Sequence, residues 1–265
     1  MSKLSRKKNN NLGPIIAIAM AIFLFGTLIY QYLQLKQSEV KLDGNNCRVD
    51  EFFPRDTVVL LDSTEALSEA QYEDILNHAQ KLVRDSLVYE RFTIYALQDN
   101  PDRFKPATTL CNPGDGQDKP EIIKSKKALR KFENSFKKPL IESFSGLSKI
   151  ESSETSPIME MLKFVGLRTF ARSTSPEKRL ILVSDMVENT RSYSQYRNSN
   201  LDFAKHSQSP YFREMRPRLD NVFIDLLYIE RPALAGIQGG NHISKFWQPF
   251  VRRSGGQIKS VTHIN

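Results

Sequence analysis

The chain has 265 residues, 38 Lys and Arg against 30 Asp and Glu, 40% hydrophobic and 26% charged residues, and only two cysteines. These proportions belong to a globular chain of one ordinary domain or two small ones, and exclude wholesale disorder, collagen-like repeats, a disulfide-dense scaffold and a Cys-rich zinc module. The net charge of +8 would suggest a nucleic-acid binder, but four of those charges, Lys3, Arg6, Lys7 and Lys8, lie in the first 35 residues, which contain no acid.

From Asn9 to Leu35 there is no charged residue, and Ile15 to Tyr30 is apolar except for Gly26 and Thr27. A helix needs about 20 such residues to cross a bilayer, which predicts a transmembrane helix over residues 14–35 behind a basic arm at 1–13. Pro14 suits the first helical turn, and Tyr30 and Tyr32 fall where an interfacial aromatic belt belongs. A cleaved signal peptide is the alternative, but it has a shorter apolar core and a small-residue cleavage site; Leu33-Gln-Leu-Lys-Gln offers none. Residues 36–56 hold four bases and five acids. The positive-inside rule therefore keeps the N-terminus cytoplasmic and sends the C-terminal part across the inner or plasma membrane, into the periplasm of a Gram-negative cell. Nucleic acid is not an expected partner there. Cys47 and Cys111 would then lie where disulfides persist. Both sit in polar turn contexts, so a Cys47–Cys111 bridge is expected over two unrelated buried thiols.

Residues 36–55 read as a stalk. Thr57-Val-Val-Leu-Leu is a short continuous apolar run, the pattern of a strand buried on both faces. Ser68-Glu-Ala-Gln71 is a capping box opening a helix to about Leu87. Phe92 to Leu97 is a second strand, followed by a loop or hairpin over residues 99–121. A long helical pattern from about Ser125 to Phe144 carries Leu129, Phe132, Phe136 and Leu140 on a core-facing stripe, and Pro139 should kink or interrupt it. Lys124, Lys126, Lys127, Arg130, Lys131, Lys137 and Lys138 surround that stripe. They form either a solvated face or a docking face for anionic head groups or an acidic partner. Pro157 starts a helix with Ile158, Met161, Leu162 and Val165 inward. Arg179 to Val183 and Val222 to Ile229 are further buried strands, residues 188–218 hold no obvious strand, Ile243 to Arg253 is a last helix, and Gln257 to Ile264 closes the sheet. Alternating buried strands and amphipathic helices predict an α/β fold with a doubly wound, mostly parallel sheet over residues 56–265.

Two strands end in an acid, at Asp62 and Asp185, and ligands of open α/β sheets bind beyond the carboxyl ends of the strands. Asp62-Ser63-Thr64-Glu65-Ala66 after a hydrophobic strand resembles the Asp-x-Ser-x-Ser metal motif of von Willebrand factor type A (vWA) domains. Ser156-Pro157-Ile158 with Met161-Leu162 is similar to that family's second loop, and Leu180 to Asp185 to the strand carrying its later Asp. The resemblance implies a cation, Mg²⁺ or another divalent ion, held by Asp62, Thr64, Ser156 and Asp185, with a protein partner supplying an acid. Ala66 departs from the motif, because it stands where the second Ser would ligate, and the second loop lacks the family's glycines. On the residues alone, Asp62 and Asp185 could instead cap the turns that follow them.

No nucleophile elbow, Walker A loop or His-Glu-x-x-His occurs. His78, His206, His242 and His263 share no ligand spacing and read as surface residues, while Trp247, with Phe246 and Phe250, reads as core. The expected function is therefore non-enzymatic: a membrane-anchored, extracytoplasmic binding or scaffolding domain. The alternatives are a phosphate- or acyl-ester hydrolase at the Asp62/Asp185 edge and a structural subunit with a dead metal site.

Overall fold

The computed structural model describes residues 12–37, 40–62, 64, 66–97, 104–116, 126–146, 153, 155–197, 201 and 203–265. Residues 1–11 of the expected basic arm (1–13), and Ser63, Glu65 and Lys124, lie outside them. The chain divides into two compact units, Met1–Lys41 and Leu42–Asn265.

Among its described residues the first unit holds one helix, α1 (Leu12–Gln37, 26 residues), about 39 Å long at ~1.5 Å per residue. Its side chains from Ile16 to Gln31 are exposed and almost all apolar. Among the described residues no helix is long and apolar enough to cross a membrane.

The second unit holds β1 (Arg55–Asp62), α2 (Glu69–Arg84), β2 (Arg91–Leu97), β3 (Thr108–Cys111), α3 (Lys126–Phe132), α4 (Lys138–Ser145), α5 (Ile158–Arg168), β4 (Glu177–Ser184), α6 (Phe203–His206), α7 (Pro210–Met215), β5 (Val222–Ile229), α8 (Ala235–Gln238), α9 (Gln248–Arg253) and β6 (Gln257–Ile264). The sheet runs β3-β2-β1-β4-β5-β6. Every pairing is parallel except β2 with β3, so the sheet is doubly wound as expected. The hairpin strand β3 adds an antiparallel edge.

Strand side chains alternate between two cores. Val58, Leu60, Leu180, Leu182, Ile224 and Leu226 face α5 and α9, packing on Met161, Leu162, Val165 and Phe250. Val59, Leu61, Ile181, Val183 and Leu227 face α2 and α4, packing on Ile75, Ala79, Leu140 and Phe144. Cover on both faces is why β1 and β4 read as unbroken apolar runs. The capping box forms: Gln71 N–H donates to Ser68 Oγ at 3.2 Å, and Ser68 N–H donates to Gln71 Oε1 at 3.1 Å.

Two prolines leave the same signature. A π-turn over Glu133–Lys137 precedes α4, which has Pro139 in its first turn, and another over His242–Trp247 precedes α9, with Pro249 in its first turn. A proline ring crowds the carbonyl four residues back and removes one hydrogen bond; widening the turn before it accommodates both. The chain therefore stays helical through Pro139. Leu129 departs from its expected inward stripe: it is 45% exposed, because α3 has no fully buried residue, touches the core only at its last residue, Phe132, and the buried stripe begins at Phe136.

The expected stalk divides at Leu42. Residues 42–54 pack onto the second unit: Phe53 is buried with Cys47 and Cys111, and Asn46 Nδ2 donates to Ser135 Oγ at 2.9 Å. The Cys47–Cys111 disulfide forms as expected, tying residues 64 positions apart.

Candidate functional site at the switch of the sheet

β1 and β4 lie side by side at the centre of the sheet, and the chain winds outward in opposite directions from them. Their carboxyl ends form the crevice where open α/β sheets bind ligands. Asp62, the last residue of β1, is buried there. Its Oδ1 accepts from Thr64 N–H at 3.1 Å and Thr64 Oγ1 at 2.7 Å. Its Oδ2 accepts from Ser184 Oγ at 2.7 Å and Ser156 Oγ at 3.4 Å. Ser156 is held by reciprocal backbone hydrogen bonds with Asn189, and Pro157 then turns the chain into α5. Three of the four expected ligands, Asp62, Thr64 and Ser156, thus converge. Ser184 joins them without having been expected; the signal was its place one residue before Asp185 at the end of a buried strand.

Asp185 turns elsewhere. Its Oδ1 accepts from Val187 N–H at 2.9 Å, and Ser184 Oγ accepts from Met186 N–H at 2.8 Å. These side-chain-capped turns hold Met186 at φ 61°, a left-handed conformation uncommon outside glycine. Asp185 Oδ2 faces Arg231 Nε at 3.7 Å, with both side chains largely buried. Arg231 Nη1 donates to the carbonyl of Ala66, at the position where the motif's second hydroxyl is missing. Gln238 secures the arrangement. Its Oε1 accepts from Arg231 N–H at 2.7 Å, and its Nε2 donates to the carbonyls of Asp185 at 3.0 Å and Ile229 at 2.9 Å.

The site therefore carries its own cation. A guanidinium bridges the β1–α2 loop and the end of β4: its Nη1 donates to a carbonyl of the loop, and its Nε stands at ion-pair distance from the carboxylate. This donor set does not fit a divalent ion as it stands: the expected second carboxylate is engaged by Arg231, and a second positive charge beside it would be repelled. Among the described residues no three His, Cys, Asp or Glu side chains gather in a way that could hold a metal. The turn-capping reading of the two aspartates is met at the same time, since each accepts a backbone N–H two residues on.

Behind this edge lies a carboxyl that the sequence did not mark. Glu188 is fully buried; it accepts from Met159 N–H, in the first turn of α5, at 2.9 Å and from Tyr211 Oη at 2.9 Å. Burial pushes its carboxyl up to about 8, against the lowering effect of those donors. The chain separates it from Asp185 by two apolar residues and places it in no recognised motif. His206 and His242, expected at the surface, are buried, and burial pushes both imidazoles down to about 4. Trp247 Nε1 donates to His242 Nε2 at 3.1 Å, and Tyr228 Oη lies 2.7 Å from Nδ1. Trp247 is core, as expected.

The basic helical face is exposed at Lys126, Lys127, Arg130, Lys131 and Lys138. Lys137 pairs with Glu133 at 2.8 Å across one helical turn, an ordinary solvated arrangement.

No family model matches the chain, and no curated protein matches it. Solved structures give fold-level likeness only. The three N-terminal domains of the type V pilus tip protein Mfa5 from Porphyromonas gingivalis are 16% identical over 51% of this chain and 20% of that one, with a TM-score of 0.32. The SpRpn10 VWA domain is 11% identical over 80% of this chain and 89% of that one, TM-score 0.37. A von Willebrand factor type A protein from Catenulispora acidiphila is 9% identical over 81% and 39%, TM-score 0.38. The chain spans a fifth of the first of these and about two-fifths of the last. Superposition this loose carries no argument about activity or partners.

Proposed function

We propose that this chain is a membrane-anchored, extracytoplasmic vWA-like domain that binds a protein partner at the carboxyl edge of its sheet, and that it does so without chemistry. The observation that carries the reading is the Asp62, Thr64, Ser156, Ser184 cluster at the switch between β1 and β4, closed by Arg231 on Asp185. The cluster is polar, buried and shaped by four separate segments, yet it offers no activated nucleophile. Both oxygens of Asp62 are committed to donors, which stabilise the carboxylate and blunt it toward attack on an ester.

Anchoring is supported by α1. A helix that is apolar all round belongs in a core or a bilayer, and among the described residues of their unit the exposed Ile16, Phe23, Phe25, Leu28 and Ile29 have no core to enter. The N-terminal basic arm supports a cytoplasmic N-terminus, and the disulfide suits an oxidising compartment. Reporter fusions at Asn265 test the orientation: an export-dependent reporter should be active and a cytoplasmic one silent.

Binding is tested by purifying the full chain with its partner from detergent-solubilised membranes. The partner should remain through a chelator wash and be lost with Arg231→Ala. A partner released by chelator and restored by Mg²⁺ would favour a second reading, in which a divalent ion displaces Arg231 and uses Asp62, Thr64, Ser156 and Asp185. The all-oxygen surroundings of Asp62 suit such a hard ion.

A further inference from the structure

The helix that begins at the switch site presents a second surface. The buried face of α5 carries Ile158, Met161, Leu162 and Val165. Glu160, Lys163, Phe164, Leu167 and Arg168 recur at three- and four-residue spacing and therefore share another face. That face does not lie open on a flat surface. It forms one wall of a cleft of about 630 Å³, whose other walls are Tyr95 at the end of β2, residues Phe104–Pro106, and Arg172.

The floor of the cleft is aromatic. Phe164 packs edge-on against Tyr95 and Phe104, with ring centres 5.9 and 5.7 Å apart. Tyr95 is fixed from behind by Thr169, whose Oγ1 lies 3.0 Å from its hydroxyl. Among the described lining residues the rim is basic: Lys105, Lys163, Arg168 and Arg172 stand with one acid, Glu160. Arg168 sits over Phe164 at 5.8 Å. None of these four cations takes part in an ion pair among the described residues. What distinguishes the cluster is its placement, four cations gathered around one concave aromatic floor.

We propose that this cleft docks an acidic, extended peptide segment of a partner protein, with one aromatic or aliphatic side chain on the Phe164 floor and flanking carboxylates on Lys105, Lys163, Arg168 and Arg172. Aromatic rings and arginines supply most of the binding energy at protein interfaces, and arginine clusters recognise acidic motifs. The volume lies within the range of pockets that bury a small ligand or an equivalent part of a peptide. A compact anion would use the rim and leave the rings idle. A bilayer surface cannot follow a cleft whose floor includes the buried Tyr95 and Phe104. The inference deepens the protein-binding reading and rests on it, but it uses a surface other than the switch site.

The test is a binding titration on the full chain in neutral detergent, using a short fluorescein-labelled peptide of Asp and Glu with a single central Phe. Saturable binding is expected, weakening as salt rises because the rim is solvated. Replacing the peptide's Phe by Ala should weaken it about tenfold, the loss of one buried aromatic contact worth about 1.4 kcal/mol. Lys163→Glu with Arg168→Glu should weaken it at least tenfold, while Lys126→Glu with Lys127→Glu on the other basic face should not change it. Unaltered thermal unfolding of both double variants shows that the effect is local. Absence of saturable binding, equal loss in both double variants, or binding only to vesicles of anionic phospholipid would overturn the proposal. Retention of the chelator-resistant, Arg231-dependent partner alongside a failed titration would discard the cleft and leave the switch-site reading intact.

Discussion

The two ends of the central sheet treat their carboxylates in opposite ways. At the amino ends of β1 and β2, Glu90 is fully buried and receives Arg55 through Nε at 2.8 Å and Nη2 at 2.6 Å, with Thr57 Oγ1 at 2.6 Å and Leu87 N–H at 2.8 Å. Asp56, equally buried, is paired by Arg91 through two nitrogens. The disulfide closes the same end, since Cys111 stands opposite Arg91 in the β2–β3 register. At the carboxyl ends, Asp62 is held by one backbone N–H and three hydroxyls, and Asp185 Oδ2 lies 3.7 Å from Nε of its arginine. Tight two-point pairing fixes a structure. Looser pairing in a crevice leaves groups that a partner can rearrange. The amino end is thus a clamp and the carboxyl end a site.

The largest effect is expected at the clamp. Glu90→Ala leaves Arg55 without its forked partner in a largely buried position and should destabilise the domain by about 3–5 kcal/mol, read as a shift in the denaturation midpoint. Reducing or replacing the Cys47–Cys111 pair should cost about 2–4 kcal/mol, because the closed loop constrains the unfolded chain. Thiol labelling of unreduced, denatured protein should find no free cysteine. At the site, Asp185→Asn should cost only about 1 kcal/mol, since it removes a long charge contact while keeping the turn that its side-chain oxygen caps. Equal losses for Glu90→Ala and Asp185→Asn would abolish the distinction between the two ends.

The pH response separates the ends further. Glu188 holds its proton more tightly folded than unfolded, its carboxyl raised from 4.5 to about 8 by burial. The folded state therefore binds the extra proton between those values, and stability falls as pH rises through that window. His206 and His242 act oppositely, depressed from 6.5 to about 4, so their share is lost as pH falls below 6.5. Between pH 6.5 and 8 only Glu188 of these three contributes a slope. Glu188→Gln should flatten stability across that interval in pH-dependent unfolding. The smallest effect is expected on the exposed helix face, where Lys126→Ala or Lys127→Ala should change stability by under about 0.5 kcal/mol.

Much of this architecture was legible because it depends on short-range pattern. Runs such as Val58–Leu61 and Leu180–Val183 announce strands covered on both faces, and the Ser68–Gln71 box announces its helix. Asp62 was readable from its place at a strand end, and Thr64 and Ser156 only through the resemblance of their segments to the vWA motif. The rest was not, because it depends on pairings made only in three dimensions. Nothing local links Arg231 to Asp185, 46 residues earlier, or tells that Glu188 will be walled in by α5 and Tyr211. The histidines misled for the same reason: places at loops and element ends suggested a surface, while His206 folds against Phe246 and His242 against Tyr228 and Trp247. Leu129 misled in the other direction, because helical periodicity marks a face and not how far along the helix the core extends.

The central claim is that the crevice between β1 and β4 is completed by Arg231 and not by a metal. Thermal unfolding of the full chain in detergent, with Mg²⁺, Mn²⁺ or Ca²⁺ at millimolar concentration or with chelator, tests it directly, because any ligand that binds only the folded state raises the midpoint by mass action. The account predicts the same unfolding temperature in all four conditions. A midpoint that climbs with the concentration of one ion, and no longer does so in Asp185→Asn, would contradict it.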